Sequence, residues 1–173
     1  MLFSGKILFV NYNIINATKS DLDFVLSLNQ ESLSAVSHSD LVKMNYFLKI
    51  SSYFKILYLE DVPVGFLIGI MPDKDYESEN YKWINQRYHS FIYVDRIIID
   101  AKHRNKGLGF YFYNNLKKAF RRKVENIACE VNIKPFNKYS IDFHKRYGFK
   151  DVGEQDIENG KKRVSYMIYK INS

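Results

Sequence analysis

Apolar and polar positions along the chain follow two different periods, which predicts a mixture of strands and helices. Runs rich in β-branched and aromatic residues predict strands. These runs cover residues 7–15, 54–59, 64–70, 91–99, 127–131, 149–152 and 164–171. The run at 91–99 is apolar almost throughout, as expected for a central strand that is covered on both faces.

Apolar residues at helical spacing predict four helices between these strands. Thr18 and Asp21 are spaced as a helix N-terminal cap, and Pro135 and Gly148 bracket the last helix. The apolar stripes of the other three helices are formed by Leu22, Val25 and Leu26, by Leu41, Met44 and Leu48, and by Tyr113, Leu116 and Phe120. We predict that residues 29–39 form a loop and that residues 72–87 have no regular period.

The predicted order of elements is therefore β-α-α-β-β-β-α-β-α-β-β, which defines the fold class as α/β (α+β), with helices packed on a mixed sheet. The chain has 173 residues, of which 46% are hydrophobic, and it contains no linker-like stretch. Both observations predict one domain that spans residues 1–173. Asn159-Gly160 between the last two strands predicts a hairpin turn.

Composition limits the compartment and the kind of ligand. The N-terminus does not resemble a signal peptide, and no apolar run approaches the roughly 18 residues of a membrane span. Cys129 is the only cysteine, which excludes a disulfide framework and cysteine-rich zinc patterns. We therefore predict a cytoplasmic protein with no metal and no membrane contact. The formal net charge of +7 is compatible with an anionic ligand.

A basic, glycine-containing segment follows the central strand and leads into a helix. Its sequence is Arg104-Asn-Lys-Gly107-Leu-Gly109. A helix N-terminus presents unpaired backbone N–H groups and a partial positive charge, so it can bind anions. The two glycines allow close backbone approach, while Arg104 and Lys106 add positive charge. The segment therefore predicts a site for phosphate or pyrophosphate.

Two common phosphate loops do not fit this segment. A Walker loop needs Gly-Lys followed by Ser or Thr, and the chain has no such sequence. A dinucleotide fingerprint needs a third small residue three positions after Gly109, where this chain has Phe112.

A second motif lies about 28 residues after Gly109 and contains Asn137, Ser140, the pair Phe143-His144, and Gly148-Phe149. Together, the two motifs resemble the signatures of the GNAT superfamily of N-acetyltransferases, and the order of elements matches that fold over nearly the whole chain. The chain is also similar to a bacterial branch of predicted GNAT acetyltransferases without an assigned substrate. The residues that carry this second similarity are Asp95-Arg96, Cys129-Glu-Val-Asn132, Phe143-His144 and the segment 76–83.

The resemblance implies that acetyl-CoA is the acetyl donor. It implies that the backbone of residues 97–99 (Ile97, Ile98 and Ile99) contacts the pantetheine arm, where this strand splays from the strand at 127–131. The backbone N–H groups of the loop would hold the pyrophosphate. The loop residues concerned are Arg104, Asn105, Lys106, Gly107, Leu108, Gly109 and Phe110. Asn137 would contact the cofactor arm, and Ser140 would be the small residue beside the cofactor.

Amine acetylation requires a base for the ammonium proton, a donor for the oxyanion and a group that assists the departing thiolate. Glu130, and after it Asp95, are the predicted bases, because each carboxylate lies in an otherwise apolar strand and burial raises a carboxyl pKa. A structural ion pair, with Arg96 for one of them, is the alternative for each carboxylate. A chain of water molecules could also serve as the base.

The acid predicted by the resemblance is His144. It stands four residues before Gly148, where many family members have a tyrosine. An imidazole can donate a proton, since its ordinary pKa is about 6.5. Tyr139 and Tyr147 are the nearby alternatives, and His144 could instead be a structural residue of its helix.

The resemblance places the acceptor over residues 29–39 and 72–88, where Asn29, Glu31, Tyr81 and Trp83 are the candidate contacts. The acceptor itself, a small molecule or a peptide, is not identified by the sequence. Homodimers are common in this superfamily, so a homodimer is possible here. A CoA-binding regulator without turnover and a basic nucleic-acid-binding module are the competing interpretations, although we expect no nucleic acid as partner.

Overall fold

Seven strands and five α-helices form the part of the chain that the structure, a computed structural model, describes: residues 11–33 and 36–172. The strands are β1 (Tyr12–Asn16), β2 (Tyr53–Leu59), β3 (Val62–Ile70), β4 (Phe91–Ile99), β5 (Asn126–Lys134), β6 (Lys150–Ile157) and β7 (Lys162–Lys170). The helices are α1 (Leu22–Glu31), α2 (Leu41–Ile50), α3 (Glu79–Asn85), α4 (Leu108–Phe120) and α5 (Lys138–Tyr147). Single 3-10 turns precede α1 and α4, at Lys19–Asp21 and Ala101–His103.

The strands form one sheet in the order β1-β2-β3-β4-β5-β7-β6. Only β4 and β5 pair in parallel, and every other neighbouring pair is antiparallel. One apolar cluster packs α1, α2 and α3 against the sheet through residues such as Val25, Phe47 and Ile84. A second cluster includes Phe112 and Ile141 of α4 and α5. The predicted α/β class with a mixed sheet is confirmed.

The parallel pair of strands separates after three residues. Pairing between β4 and β5 covers only residues 91–93 and 126–128. Beyond that point β4 stays paired with β3, while β5 stays paired with β7. The two strands therefore diverge, and a cleft opens between residues 94–99 and 129–134. This is the splay that the resemblance implied.

Local signals in the sequence account for several element ends. The Asp21 carboxylate accepts hydrogen bonds from the backbone N–H and the hydroxyl of Thr18, at 2.7 and 2.8 Å. Gly148 follows α5 with φ +111°, a left-handed conformation that favours glycine. Gly107 caps α4 with φ +77°, and the helix begins at Leu108, five residues before the first residue of its predicted apolar stripe.

The structure corrects two predicted loops. Asn29 lies in the last turn of α1, so the predicted loop at 29–39 begins too early. Residues 72–87 contain α3, whose N-terminal cap is the hydroxyl of Ser78, which accepts from the N–H of Tyr81 at 3.3 Å. This helix has seven residues and only two buried ones, too few for a detectable period. Residues 7–10 of the first predicted strand lie outside the described residues.

None of the helices within residues 11–33 and 36–172 has the length and apolar character needed to cross a membrane.

Candidate functional site

A cavity of about 1260 Å³ opens at the splay between β4 and β5. Its walls come from the separated halves of the two strands, the start of α4 and one face of α5. We call the part lined by residues 103–105 and 107–110 the phosphate end. The opposite part, lined by Asp95, Glu130 and residues 75–80, is the carboxylate end.

The phosphate end is built from the loop between β4 and α4. Gly107 has open space around the position of a Cβ, so a ligand can approach its backbone closely. Gly109 lies against α5, since a Cβ there would come within 2.6 Å of the Phe143 ring. Arg104 donates from Nε to the carbonyl of Ile99 at 2.9 Å, which fixes its side chain beside the end of β4. The first N–H groups of α4 have no partner within the helix.

Most of the predicted cofactor residues line this one cavity. They are Ile97, Ile98, Ile99, Arg104, Asn105, Gly107, Leu108, Gly109, Phe110, Asn137 and Ser140. Lys106 does not line it and is exposed. Asn137 caps α5 by accepting from the Ser140 N–H at 3.1 Å, so the cap also fixes the position of Ser140 at the cavity wall.

Glu130, the first predicted base, lines the carboxylate end of the cavity. Its Oε2 accepts from the Tyr93 hydroxyl at 2.7 Å, and its Oε1 accepts from the Asn80 side-chain amide at 3.0 Å. The Tyr166 hydroxyl donates to Oδ1 of Asn80 at 3.0 Å, which orients the amide so that its NH₂ faces the carboxylate. Trp83 stacks on Tyr166 with ring centroids 3.9 Å apart. The carboxylate on β5 is thus held by a network from three other elements, β4, α3 and β7.

The surroundings of Glu130 change its acidity. Burial raises the pKa of its carboxyl from 4.5 to about 7, because few water molecules can solvate the charged form. The nearby charge of Asp95 raises this pKa further, whereas the hydrogen bonds from Tyr93 and Asn80 lower it. A carboxyl with a pKa near neutrality can both accept and release a proton under ordinary conditions.

Asp95, the second predicted base, is committed to other partners. Arg96 binds Oδ1 through Nε and Nη2, each at 2.9 Å, and the Tyr76 hydroxyl donates to Oδ2 at 2.8 Å. The side chains of Arg96 and Asp95 are 1% and 6% exposed. This is the structural ion pair considered as the alternative, and it leaves Asp95 poorly placed to accept a substrate proton.

Arg96 also joins the segments around the carboxylate end. Its Nη1 donates to Oδ1 of Asn29 at 2.6 Å and to the Ser39 hydroxyl at 3.0 Å. Its guanidinium lies over the Phe47 ring, 5.2 Å from the centroid. One buried cation therefore connects β4, the end of α1, the segment after it and α2.

His144, the predicted acid, is buried on α5. Burial lowers the pKa of its imidazole from 6.5 to about 4, so the ring is neutral at pH 7. Its Nδ1 contacts the Ser140 carbonyl at 2.7 Å, and its Nε2 contacts the Tyr113 hydroxyl at 2.8 Å. Both ring nitrogens are thus occupied, which argues against proton donation by His144.

The two alternative acids lie in different environments. Tyr139 lines the cavity and is 90% exposed. The Tyr147 hydroxyl donates to Oδ1 of Asn114 at 3.0 Å, and Tyr147 does not line the cavity.

None of the four predicted acceptor contacts lines the cavity. Asn29 and Tyr81 are buried; Asn29 binds Arg96, and the Tyr81 hydroxyl donates to the Met71 carbonyl at 2.8 Å. Glu31 is exposed on α1. Trp83 stacks on Tyr166 and is linked to Glu130 only indirectly, through Tyr166 and Asn80. The polar atoms of the buried pair are used inside the protein, which argues against direct contact of Asn29 and Tyr81 with a ligand.

Sequence reasoning missed several residues at the carboxylate end. Tyr93 and Asn80 hold Glu130, and Tyr76 holds Asp95. Tyr76 and Asn80 belong to a segment that the resemblance had selected, but no periodicity indicated that their side chains face the cleft. No group of three His, Cys, Asp or Glu side chains within the described residues is arranged to hold a metal ion.

The sequence model of the Acetyltransferase (GNAT) family matches residues 22–149, and the chain belongs to this family. It is an N-acetyltransferase, as its sequence predicts. It is 29% identical over 148 residues to the spermine/spermidine N(1)-acetyltransferase of Bacillus subtilis (strain 168), covering 82% of this chain and 86% of the relative.

Solved structures share the fold at low sequence identity. Ard1 from Thermoplasma volcanium is 16% identical with a TM-score of 0.77, covering 95% of this chain and 100% of that one. The protein yncA from Salmonella typhimurium, solved with its cofactor acetyl-CoA, is 15% identical with a TM-score of 0.69, covering 94% of this chain and 95% of that one.

The raised pKa of Glu130 predicts how stability depends on pH. Below pH 4.5 the carboxyl is protonated in both the folded and the unfolded chain. Between 4.5 and 7 the unfolded chain releases this proton while the folded protein keeps it, so stability falls with rising pH. The loss is at most about 3 kcal/mol for a shift from 4.5 to about 7. Glu130→Gln has no such proton. The free energy of unfolding of this variant should therefore increase relative to that of wild type as the pH rises from 4.5 to 7.

Urea denaturation at a series of pH values measures this difference. Glu125→Gln, at an exposed carboxylate before β5, is the matched control and should follow wild type. Parallel curves for wild type and Glu130→Gln would mean that Glu130 has an ordinary pKa.

Proposed function

We propose that this chain transfers the acetyl group of acetyl-CoA to a primary amine by direct attack in a ternary complex. The observation that carries the proposal is the continuity of one cavity from the phosphate end to Glu130. A donor bound along the splay would have its pyrophosphate at one end and its thioester near a base at the other. Donor and acceptor could therefore meet without a covalent enzyme intermediate.

The donor side of the proposal rests on backbone groups. The edges of β4 and β5 that face the cleft are unpaired with each other beyond residues 93 and 128, so they can bond an extended pantetheine arm. The start of α4 supplies N–H groups and a positive dipole for the pyrophosphate. Arg104 adds a positive charge there. The residues present fit the acetyl-CoA that GNAT acetyltransferases use.

Glu130 is the proposed general base. An amine must lose a proton before it can attack, because an ammonium ion has no free electron pair. With a pKa of about 7, the Glu130 carboxylate is a stronger proton acceptor than an ordinary glutamate and is still ionised at slightly alkaline pH. The nitrogen of the deprotonated amine then attacks the carbonyl carbon of the thioester. The C–S bond breaks as the carbonyl re-forms.

The acceptor we propose is an aliphatic amine that carries a second positive charge, as polyamines do. Asp75, Glu77, Glu79 and Glu158 line the cavity in addition to Glu130 and Asp95. Glu77 pairs with Lys82, and Glu158 with Lys162. Within the described part of the chain, Asp75 and Glu79 form no ion pair, so they could hold a distal ammonium. The similarity to an enzyme named for spermine and spermidine supports the same class.

A CoA-binding regulator without turnover is the second candidate. The observation that favours it is the neutral imidazole of His144 at the position where many family members have a tyrosine. Binding of acetyl-CoA without transfer to any amine would support it. A single domain over residues 1–173, a cytoplasmic location and a homodimer remain predictions from the sequence.

The dependence of kcat/KM on pH tests Glu130 as the base. For the wild type we expect kcat/KM to rise with pH through about 7, as the carboxyl ionises. Glu130→Gln should lower kcat by about 10²- to 10⁴-fold and remove this rise. The dependence on the amine's own ionisation, at higher pH, should remain in both proteins. A glutamine variant with wild-type rates and an unchanged profile would exclude Glu130 as the base.

A comparison of acceptors tests the second charge. We expect the wild type to acetylate a triamine such as spermidine with a lower KM than a monoamine of similar length. The double variant Asp75→Asn, Glu79→Gln should raise the KM for the triamine by roughly 3- to 10-fold and leave the monoamine unaffected, since exposed charge pairs each contribute up to about 1 kcal/mol. Glu125→Gln serves as the control. Equal KM values for both amines in the wild type would contradict the proposed class.

A further inference from the structure

A chain of hydrogen-bonding side chains runs from the core to the cavity wall on the α5 side of the site. Tyr113 is buried at its inner end, and this burial raises the pKa of its hydroxyl well above the ordinary value. The Tyr113 hydroxyl contacts Nε2 of His144 at 2.8 Å. Nδ1 of His144 contacts Ser140, which lines the cavity.

The direction of every bond in this chain follows from one group. Nδ1 of His144 lies 2.7 Å from the Ser140 carbonyl oxygen, which can only accept. Nδ1 therefore carries the hydrogen. Because the ring is neutral, Nε2 carries none and must accept from the Tyr113 hydroxyl. Burial, which lowers the His144 pKa to about 4, is consistent with this tautomer.

The same reasoning fixes the role of the Ser140 hydroxyl. Its Oγ lies 3.3 Å from Nδ1 of His144, whose single hydrogen it shares with the Ser140 carbonyl. Oγ is thus an acceptor towards His144, and its own hydrogen is not used in that contact. In the part of the chain that the structure describes, no other hydrogen-bond partner contacts this hydroxyl. Its hydrogen is free to point into the cavity.

We propose that the Ser140 hydroxyl donates a hydrogen bond to the sulfur of the departing CoA thiolate, and that His144 is a positioning residue that keeps this hydroxyl oriented. This inference rests on the proposed function. The acid position of the motif lies one helical turn after Ser140, so the two residues share one face of α5. Ser140 is the donor on that face that is not already engaged.

Other donors near this wall are less suitable. Phe110 and Phe143 line the same part of the cavity, but their side chains have no hydrogen-bond donor. Tyr113 is fully buried and already donates to His144, and its burial raises its pKa well above 10. Tyr139 lines the cavity but is almost fully exposed, so water would compete with any hydrogen bond that it forms.

The proton balance does not require Ser140 to lose its proton. The ammonium of the acceptor gives up two protons during the reaction, the first of them to Glu130. When the C–S bond breaks, its electron pair stays on sulfur, and the hydroxyl stabilises this charge through a hydrogen bond. One of the two protons ends on the CoA sulfur and the other in water.

Kinetics with two acetyl donors test this role. The donors are acetyl-CoA and its selenium analogue, acetyl-seleno-CoA, whose selenol is much more acidic and needs less assistance to leave. We expect Ser140→Ala to lower kcat with acetyl-CoA by about 10- to 100-fold, the effect of one hydrogen bond to a charged group. With the selenium donor the loss should be less than about threefold. Ser140→Thr, which keeps the hydroxyl, should retain most of the rate.

Two controls separate this role from a structural one. The dissociation constant of acetyl-CoA should stay within about threefold of wild type in Ser140→Ala. Ser165→Ala, at a buried serine that bonds Asp151 at 2.7 Å, should affect both donors equally. Ser140→Cys keeps a weaker donor and should show a smaller donor-dependent loss, which provides the test if the alanine variant does not fold.

The outcomes distinguish this inference from the proposed function. An equal loss with both donors, or no loss with acetyl-CoA, would overturn the role of Ser140 while wild-type transfer still supports the acetyltransferase. Absence of transfer by the wild type to any amine would instead overturn the proposed function, and with it the role of Ser140.

Discussion

The separation of β4 and β5 is the constraint on which the rest of the site depends. Each strand keeps a full antiparallel partner on its outer side, so the two can diverge after three paired residues without unravelling the sheet. The divergence exposes two backbone edges inside the protein, and such edges favour an extended ligand that can satisfy them. The start of α4 and one face of α5, which pack against each other, then line the same cleft.

The cleft also determines the chemistry of its polar residues. Glu130 is partly buried and therefore has an elevated pKa, but Tyr93 and Asn80 hold it by hydrogen bonds that limit the increase. Asp95 instead stays paired as an ion, since two guanidinium nitrogens of Arg96 contact its Oδ1 and several further partners stabilise the two buried charges. Two carboxylates on neighbouring strands thus differ in role because their partners differ, with Glu130 able to exchange a proton and Asp95 serving to organise the wall.

The sequence predicts the order of elements well, because long apolar runs such as 91–99 and the caps at Thr18 and Gly148 are local signals. It misses α3, since two buried residues in seven give no recognisable period. It selects Glu130 as a candidate base, and this residue lines the cavity, but the sequence cannot anticipate that Asn29 and Tyr81 face inward. Asn29 faces inward because it binds Arg96, which is distant in the sequence. Tyr81 faces inward because its hydroxyl binds the Met71 carbonyl, which lies outside its helix. The tautomer of His144 likewise depends on contacts that only the folded chain brings together.

The most direct test of the account is calorimetric titration of acetyl-CoA into wild type, Gly107→Trp and Gly160→Trp. Both glycines have positive φ, +77° and +81°, and open space around the Cβ position, so the two variants share the same backbone strain. Only Gly107 lies in the cavity wall. We expect roughly micromolar to submillimolar binding by wild type and Gly160→Trp, and no binding by Gly107→Trp. Absence of binding by wild type, or equal binding by all three proteins, would contradict a donor bound between the splayed strands and the start of α4.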